Sequence, residues 1–361
     1  MKEVERLRAL RKSAASHEIE ALLVTHLPDV RYLCGFTGSN AALAVTASKA
    51  VLFTDGRYTT QAKAEVKGAK VVIAKGSALK EACAWLESSA AAAGFDPANT
   101  SVSQLEMMRA AISGKARRKF FQPLTQPLAA DLRMVKDDDE LRAMTAAAKL
   151  GNRVFEAVLA HLKPGVPETE IAAGLEFFAR SMGAEAMSFE TIVASGTRSA
   201  LPHGRASSQK LPRKGFITLD FGVILRGYCS DMTRTVHLGK ATAEERHAYE
   251  SVLAAQEAAV AAVRPGVTCG EVDEAARSIL RKAGLAKFFT HSTGHGVGLE
   301  IHENPRVAAG QPQVLEPGMV ITVEPGVYMP GKFGIRIEDM VAVTSRGHKV
   351  LTPVDKKLIE L

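Results

Sequence analysis

Cysteine is scarce and unpatterned in this sequence. Four occur in 361 residues, Cys34, Cys83, Cys229 and Cys269, with no Cys-x-x-Cys spacing and no disulfide pattern. That usage fits a reducing cytosol. A long apolar run is also missing: no stretch approaches the roughly 18 consecutive apolar residues of a membrane helix. The opening Met1-Lys2-Glu3-Val4-Glu5-Arg6 is charged and leads into an amphipathic segment, so no signal peptide is visible. Nor is there a basic stripe. Net charge is +7 and the pI about 9.2, but the Lys and Arg are scattered. Their one dense cluster, Lys115 to Lys119, is short and lacks interleaved aromatics. A solvated basic surface is the reading of this charge, with no nucleic acid or membrane as partner and a cytoplasmic location.

What is present is an ordinary globular composition, 46% hydrophobic and 24% charged, in a chain long enough for two domains. Residues 3–18 carry apolar Val4, Leu7, Leu10 and Ala14 at helical spacing. Short apolar strands are expected at 21–25, 41–46, 51–54 and 70–74, with helical segments at 29–35 and 59–66. Leu79 to Ala93 reads as an alanine-rich helix ended by Gly94. Strands alternating with helices imply an α/β domain over residues 1–128. Its one conspicuous polar motif is Asp55-Gly56-Arg57-Tyr58, whose Asp and Gly also suit a simple strand-end turn. Pro123 and Pro127 interrupt the chain without periodicity, and a second domain is expected over 129–361.

The second domain opens with a long helix to about Leu162, begun by Asp137-Asp138-Asp139-Glu140. Acids at a helix start favour the positive end of its dipole, so this run reads as a cap and not a metal site. An internal repeat follows. Lys163-Pro164-Gly165-Val166 matches Arg264-Pro265-Gly266-Val267, and Gly183 matches Gly284, each at an offset of 101 (164 to 265, 183 to 284). Ile217-Thr218-Leu219-Asp220-Phe221-Gly222 matches Ile321-Thr322-Val323-Glu324-Pro325-Gly326. Asp220 is followed by a second acid, Asp231, and Glu324 by Glu338. A pseudo-twofold arrangement of such units would bring two carboxylate pairs face to face.

Asp220 lies in an apolar strand, where a lone carboxylate is costly unless paired or metal-bound. Asp231 lies on the returning arm of a hairpin turned at Arg226-Gly227. His295, Glu324 and Glu338 complete a set of five nitrogen and oxygen donors, which needs no thiolate. Four carboxylates bring about four negative charges, which two divalent cations would neutralise. Two such cations acidify water, polarise a carbonyl and anchor a substrate amine, which is amide hydrolysis without a covalent nucleophile. Oxygen-rich ligation with one histidine leans toward manganese, while cobalt, zinc and iron also fit. His291 and His302 are candidates to hydrogen-bond substrate or shuttle a proton. Arg336, two residues before Glu338 and on the same strand face, is a candidate to orient a ligand carboxylate. His203, after Leu201-Pro202, is undecided on spacing alone between substrate contact and an ordinary loop histidine.

Asp220, Asp231, His295-Gly296-Val297-Gly298 with His302-Glu303, Glu324-Pro325-Gly326-Val327-Tyr328 and Gly334-Ile335-Arg336-Ile337-Glu338-Asp339 together resemble the metallopeptidases of the pita-bread fold. These include methionine aminopeptidase, Xaa-Pro aminopeptidase and Xaa-Pro dipeptidase. The resemblance runs from about residue 135 to the end. It implies an α+β pita-bread (creatinase/aminopeptidase) domain with an internal pseudo-twofold repeat, behind an α/β, creatinase-like N-terminal domain. It implies Asp220 on one metal, His295 and Glu324 on the other, and Asp231 and Glu338 bridging. It also implies substrate-side roles for His203, His291 and His302. The N-terminal domain marks the proline-specific branch, and Gly35-Phe36-Thr37-Gly38-Ser39 with Asp55-Gly56-Arg57-Tyr58 look most like the Xaa-Pro aminopeptidases. The implied activity is release of the residue before a proline in second position, by a homodimer using manganese or cobalt. A Xaa-Pro dipeptidase with the same metals is the alternative. A metal-free binding relative or a creatinase-like amidinohydrolase would have lost ligands, and here all five are present.

Overall fold

The computed structural model describes residues 2–113 and 115–361, so Met1 of the charged opening lies outside the described residues. The chain divides into two compact units, Met1–Arg133 and Met134–Leu361.

The first unit is built on a six-stranded sheet of β1 (Ala21–Val24), β2 (Ala41–Thr46), β3 (Ala50–Thr54), β4 (Lys70–Ile73), β5 (Ala93–Phe95) and β6 (Phe121–Pro123), in the order β4-β3-β2-β1-β5-β6. The middle strands β1–β3 pair antiparallel and the outer ones parallel. β3 is buried along its whole length, which explains an unbroken Ala-Val-Leu-Phe-Thr run in place of alternation. Among the described residues six α-helices accompany the sheet: α1 (Lys2–Ser16), α2 (Leu27–Cys34), α3 (Thr59–Glu65), α4 (Ala78–Glu87), α5 (Val102–Ala110) and α6 (Leu128–Met134). Leu7, Leu10 and Ala14 form the buried side of α1. Gly35, in the left-handed region at φ 82°, ends α2. Arg118 and Arg117 of the basic cluster lie in a short 3-10 turn and are exposed, as is Lys119.

Two readings of this unit change. The helix expected over Leu79–Ala93 ends at Glu87, and Ala93–Phe95 is the strand β5 beside β1. Gly94 serves close packing: a Cβ there would sit 2.6 Å from Leu124 Cδ2 and 3.2 Å from Leu22 Cδ2. The unpatterned stretch around Pro123 and Pro127 is the edge strand β6 followed by α6, with the proline at an edge where no ladder donor is required.

The second unit is a duplicated helix-and-strand unit. The first half has α7 (Asp138–Leu159) and α8 (Glu168–Ser181), then β7 (Ala186–Met187), β8 (Ile192–Ser195), β9 (Gly215–Phe221), β10 (Val223–Leu225), β11 (Tyr228–Cys229) and β12 (Met232–Leu238). The second half has α9 (Ala243–Ala262) and α10 (Cys269–Lys282), then β13 (Gly294–Gly296), β14 (Glu303–Val307), β15 (Val320–Val323), β16 (Gly326–Met329), β17 (Phe333–Arg336), β18 (Asp339–Thr344) and β19 (Gly347–Val350). Asp137 caps α7 by accepting from the amides of Asp139 and Glu140 while the Glu140 carboxylate reaches back, so the acidic run is a capping box. Gly165 and Gly266, at φ 89° and 84°, make the same turn between the helices of each half.

Each half has its own core. Val154, Phe155, Ile171 and Leu175 of α7 and α8 pack with Ile217 and Leu219 of β9. Val252, Ala255, Val272 and Ala276 of α9 and α10 pack with Ile321 of β15 and Val341 of β18. The long antiparallel pairs correspond: β9 with β12, where Asp220 faces Thr233, and β15 with β18, where Val323 faces Asp339.

Candidate metal centre

The repeat sets where the acids fall. Asp220 is the next-to-last residue of β9, and Asp231 stands just before β12; Glu324 follows β15, and Glu338 stands just before β18. Gly222 lets the first hairpin close, because a Cβ there would lie 1.8 Å from the Ser230 carbonyl oxygen. His295 is in β13 between two glycines with the same constraint: a Cβ on Gly294 would meet Thr322 O at 1.9 Å, and one on Gly296 would meet Asn304 O at 2.1 Å. These close approaches fix the histidine against β15.

The five expected donors converge. Ligand atoms of Asp231, His295 and Glu338 lie within 4.8 Å of one another. His295 Nε2 is 3.6 Å from Asp231 Oδ2 and 3.4 Å from Glu324 Oε1. Its Nδ1–H donates to the Gly296 carbonyl at 3.0 Å, which leaves the Nε2 lone pair facing the acids. Asp220 Oδ2 accepts from Arg336 Nη2, while Asp220 Oδ1 is buried with no hydrogen-bond partner among the described residues.

Electrostatics make the same point. Burial, then the neighbouring charges of Glu338, Asp220 and Glu324, push the Asp231 carboxyl well above the usual range. Burial, then Glu324 and Asp220, do the same to Glu338. Burial raises Glu324 to about 8, with Asp220 adding to the shift and Arg336 opposing it. Carboxyls crowded and buried in this way carry charge comfortably only beside cations. The Asp220 oxygen without a partner among the described residues, the His295 nitrogen that faces the acids and the crowded carboxyls fit divalent metal ions held by oxygen and nitrogen.

Arg336 ties the cluster together from behind. Its Nε donates to Thr233 Oγ1 at 3.1 Å and its Nη1 to Tyr328 Oη at 2.7 Å and Pro202 O at 3.0 Å. Burial alone would lower its pKa, but Tyr328, Asp220, Glu324 and Glu338 outweigh it and hold the guanidinium charged. Thr233 Oγ1 in turn donates to Glu338 Oε2 at 2.7 Å. Thr322 Oγ1 accepts from the His295 amide and donates toward Glu324 Oε1.

The three other histidines differ. His291 Nδ1–H donates to Ser292 O at 2.8 Å, and its Nε2 accepts from Tyr328 Oη at 2.9 Å, so both ring nitrogens are engaged. Burial, then the Arg336 charge, lower its pKa to about 4. His302 is exposed and packs edge-on against the His295 ring with centroids 4.4 Å apart. His203 is exposed on the loop after β8, close enough for its charge to weigh on both His291 and His302.

Sequence reasoning missed Tyr328, Thr233 and Thr322, although each sits in a quoted motif or two positions from a ligand on the same strand face. It also missed Arg234, fully buried behind Glu338, which donates to Asp339 Oδ1 at 2.8 Å. Its strand, Met232–Leu238, mixes polar and apolar residues yet is buried at every position, so only the fold marks Arg234 as interior.

Residues 142–345 match Metallopeptidase family M24, and residues 6–135 match the Creatinase/Prolidase N-terminal domain. The chain belongs to metallopeptidase family M24. A Xaa-Pro dipeptidase of Pyrococcus horikoshii is 34% identical to this family member over 356 residues, 98% of this chain and 99% of its own. The solved structure of a Xaa-Pro dipeptidase from Bacillus anthracis aligns with a TM-score of 0.95 at 39% identity, over 99% of this chain and 100% of that one. An X-Pro aminopeptidase from Thermotoga maritima aligns with a TM-score of 0.88 at 36% identity, over 95% and 98%. The second unit of this M24 peptidase is thus a pita-bread domain and the first a creatinase-type domain, as the motifs implied. Membership of the family implies a hydrolase that uses divalent metal ions.

Proposed function

We propose that this chain is a dinuclear-metal exopeptidase that releases the N-terminal residue from peptides with proline in the second position. The observation that carries the metal assignment is the cluster of Asp231, His295 and Glu338, with Glu324 beside His295 and with one Asp220 oxygen buried and unpartnered among the described residues. These five residues would hold two cations, with manganese favoured by the oxygen-rich set and cobalt, zinc or iron as substitutes. When bound, the cations supply Lewis acidity toward the scissile carbonyl and acidify water.

The chain's own groups do the rest. Arg336 holds Asp220 through Oδ2 and leaves Oδ1 without a hydrogen-bond partner among the described residues. Tyr328, held by Arg336, donates to His291 and keeps that ring neutral and fixed. Exposed His203 and His302 are the groups free to meet the peptide. Partial desolvation of the ring lowers the His302 pKa, which favours a neutral imidazole for hydrogen bonding. A homodimer resident in the cytoplasm completes the reading.

Among the described residues, three arginines near these histidines are already committed, Arg336 to Asp220, Arg277 to Asp273 and Arg198 to Glu168, while Arg205 pairs with Glu190 at the surface. A dipeptidase needs a cation for its substrate's C-terminal carboxylate, so this commitment favours the aminopeptidase. The relatives named Xaa-Pro dipeptidase favour the second reading, the same chemistry restricted to dipeptides. Hydrolysis of a Xaa-Pro dipeptide and a Xaa-Pro tripeptide, across Mn, Co, Zn and Fe, separates the two. Cleavage of the tripeptide is expected. Cleavage of the dipeptide alone assigns the dipeptidase, and cleavage of neither with any metal overturns both.

A further inference from the structure

Glu168 is the first residue of α8, yet its carboxylate does not cap that helix. It is fully buried, at 0% exposure. Oε1 accepts from the Ser195 amide and the Ser195 hydroxyl, both at 2.8 Å. Oε2 accepts from the Ser207 amide at 3.1 Å, the Ser207 hydroxyl at 2.8 Å and the Arg198 guanidinium. Arg198 also donates to Arg205 O at 2.8 Å. One acid thus holds the start and the end of segment 195–207. A buried carboxylate so fully satisfied is a strong anchor, and the α8 N-terminus favours its charge.

The middle of that segment sits on the metal-site wall. Ser199 Oγ accepts from the Gly334 amide at 2.8 Å, and Pro202 O accepts from Arg336 Nη1 at 3.0 Å. The seat is tight, since a Cβ on Gly334 would lie 2.1 Å from Ser199 O. His203 follows Pro202 directly.

The other half of the repeat has the same device. Asp273, buried near the start of α10, accepts from the Thr293 amide at 3.2 Å, the Thr293 hydroxyl at 2.8 Å and Arg277. Arg277 donates onward to His291 O at 2.6 Å. In each half an acid on the second helix binds an N–H, an O–H and an arginine, and so fixes a segment that carries a histidine.

We propose that Glu168 is a positioning residue for His203: by clamping both ends of segment 195–207, it sets where the imidazole meets the substrate. The inference rests on the substrate-side reading of His203. The test is a double-mutant cycle of Glu168→Gln with His203→Ala, read as kcat, KM and bound metal on a Xaa-Pro substrate. A displaced group costs up to about 100-fold in rate. Glu168→Gln alone is expected to lower kcat/KM by about 10- to 100-fold with metal content unchanged. In the His203→Ala background the same change is expected to cost less than about 3-fold, because the group it positions is gone. Equal losses in both backgrounds, or loss of metal, overturn the proposal. If His203→Ala alone leaves kcat/KM intact in an active enzyme, the substrate role of His203 fails, and this inference with it. An inactive wild type instead overturns the peptidase reading, a distinguishable outcome. Ser207→Ala, which removes one hydroxyl and keeps the carboxylate, gives the same cycle at smaller amplitude should Glu168→Gln fail to fold; full additivity there also overturns the proposal.

Discussion

At the scale of single residues, Arg336 decides more than any ligand. Its guanidinium joins Asp220, Thr233, Tyr328 and Pro202, so the charge that steadies one proposed metal ligand also orders the hydroxyl that holds His291. Lysine cannot reproduce this fork of donors. Arg336→Lys is therefore expected to lower metal affinity by about 10- to 100-fold, checked by isothermal titration with Mn(II), alongside a fall in kcat. Arg234 has a different task. Its partner Asp339 also accepts from buried Gln256 and Thr352 and from half-buried Lys356. Arg234→Met would leave part of that charge uncompensated, and a loss of about 3–5 kcal/mol in urea unfolding is expected.

At the scale of elements, the strands that build the site were legible because their acids broke apolar runs, and the repeat showed which acids correspond. Asp220 and Glu324 were recognisable in this way, as was the capping role of Asp137. The β5 strand was not legible: Ala93-Gly94-Phe95 has neither length nor alternation, and its strand state comes from pairing with β1, a tertiary effect. Glu168 escaped notice for a related reason. An acid at a helix start looks like ordinary dipole chemistry, and only folding reveals that it faces Ser195 and Ser207. Two expectations separate site elements from scaffold. Gly294→Ala forces β13 away from Thr322 and should cost about 1–3 kcal/mol, with His295 displaced and metal binding weakened in the same titration. Asp137→Ala removes the α7 cap and should cost about 1 kcal/mol in urea unfolding, while kcat and KM stay unchanged.

At the scale of the whole molecule, the crowded acids link metal, proton and stability. Glu324 titrates near 8 in the folded chain against an ordinary 4.5, and Asp231 and Glu338 are raised in the same direction. The folded metal-free state thus holds protons that the unfolded state has released. That stability is present in full below the ordinary carboxyl range and is lost as pH rises through about 8. His291 and His295, lowered to about 4 by burial, work in the opposite sense, but only below their ordinary 6.5. Between pH 7 and 8 the raised acids outweigh the lowered histidines and set the sign of the slope. After chelation, the Tm is expected to fall across that interval, and saturating Mn(II) should flatten the profile by displacing those protons. A chelated protein whose Tm climbs from pH 7 to 8 would contradict this account. The order of the donors along the chain has one more consequence. Asp220 and Asp231 leave the ribosome first, and His295, Glu324 and Glu338 follow from the other half of the duplication. A growing chain therefore carries only two of the five donors until residue 295 is made and all five only after residue 338, so the proposed two-cation site cannot be complete before that point.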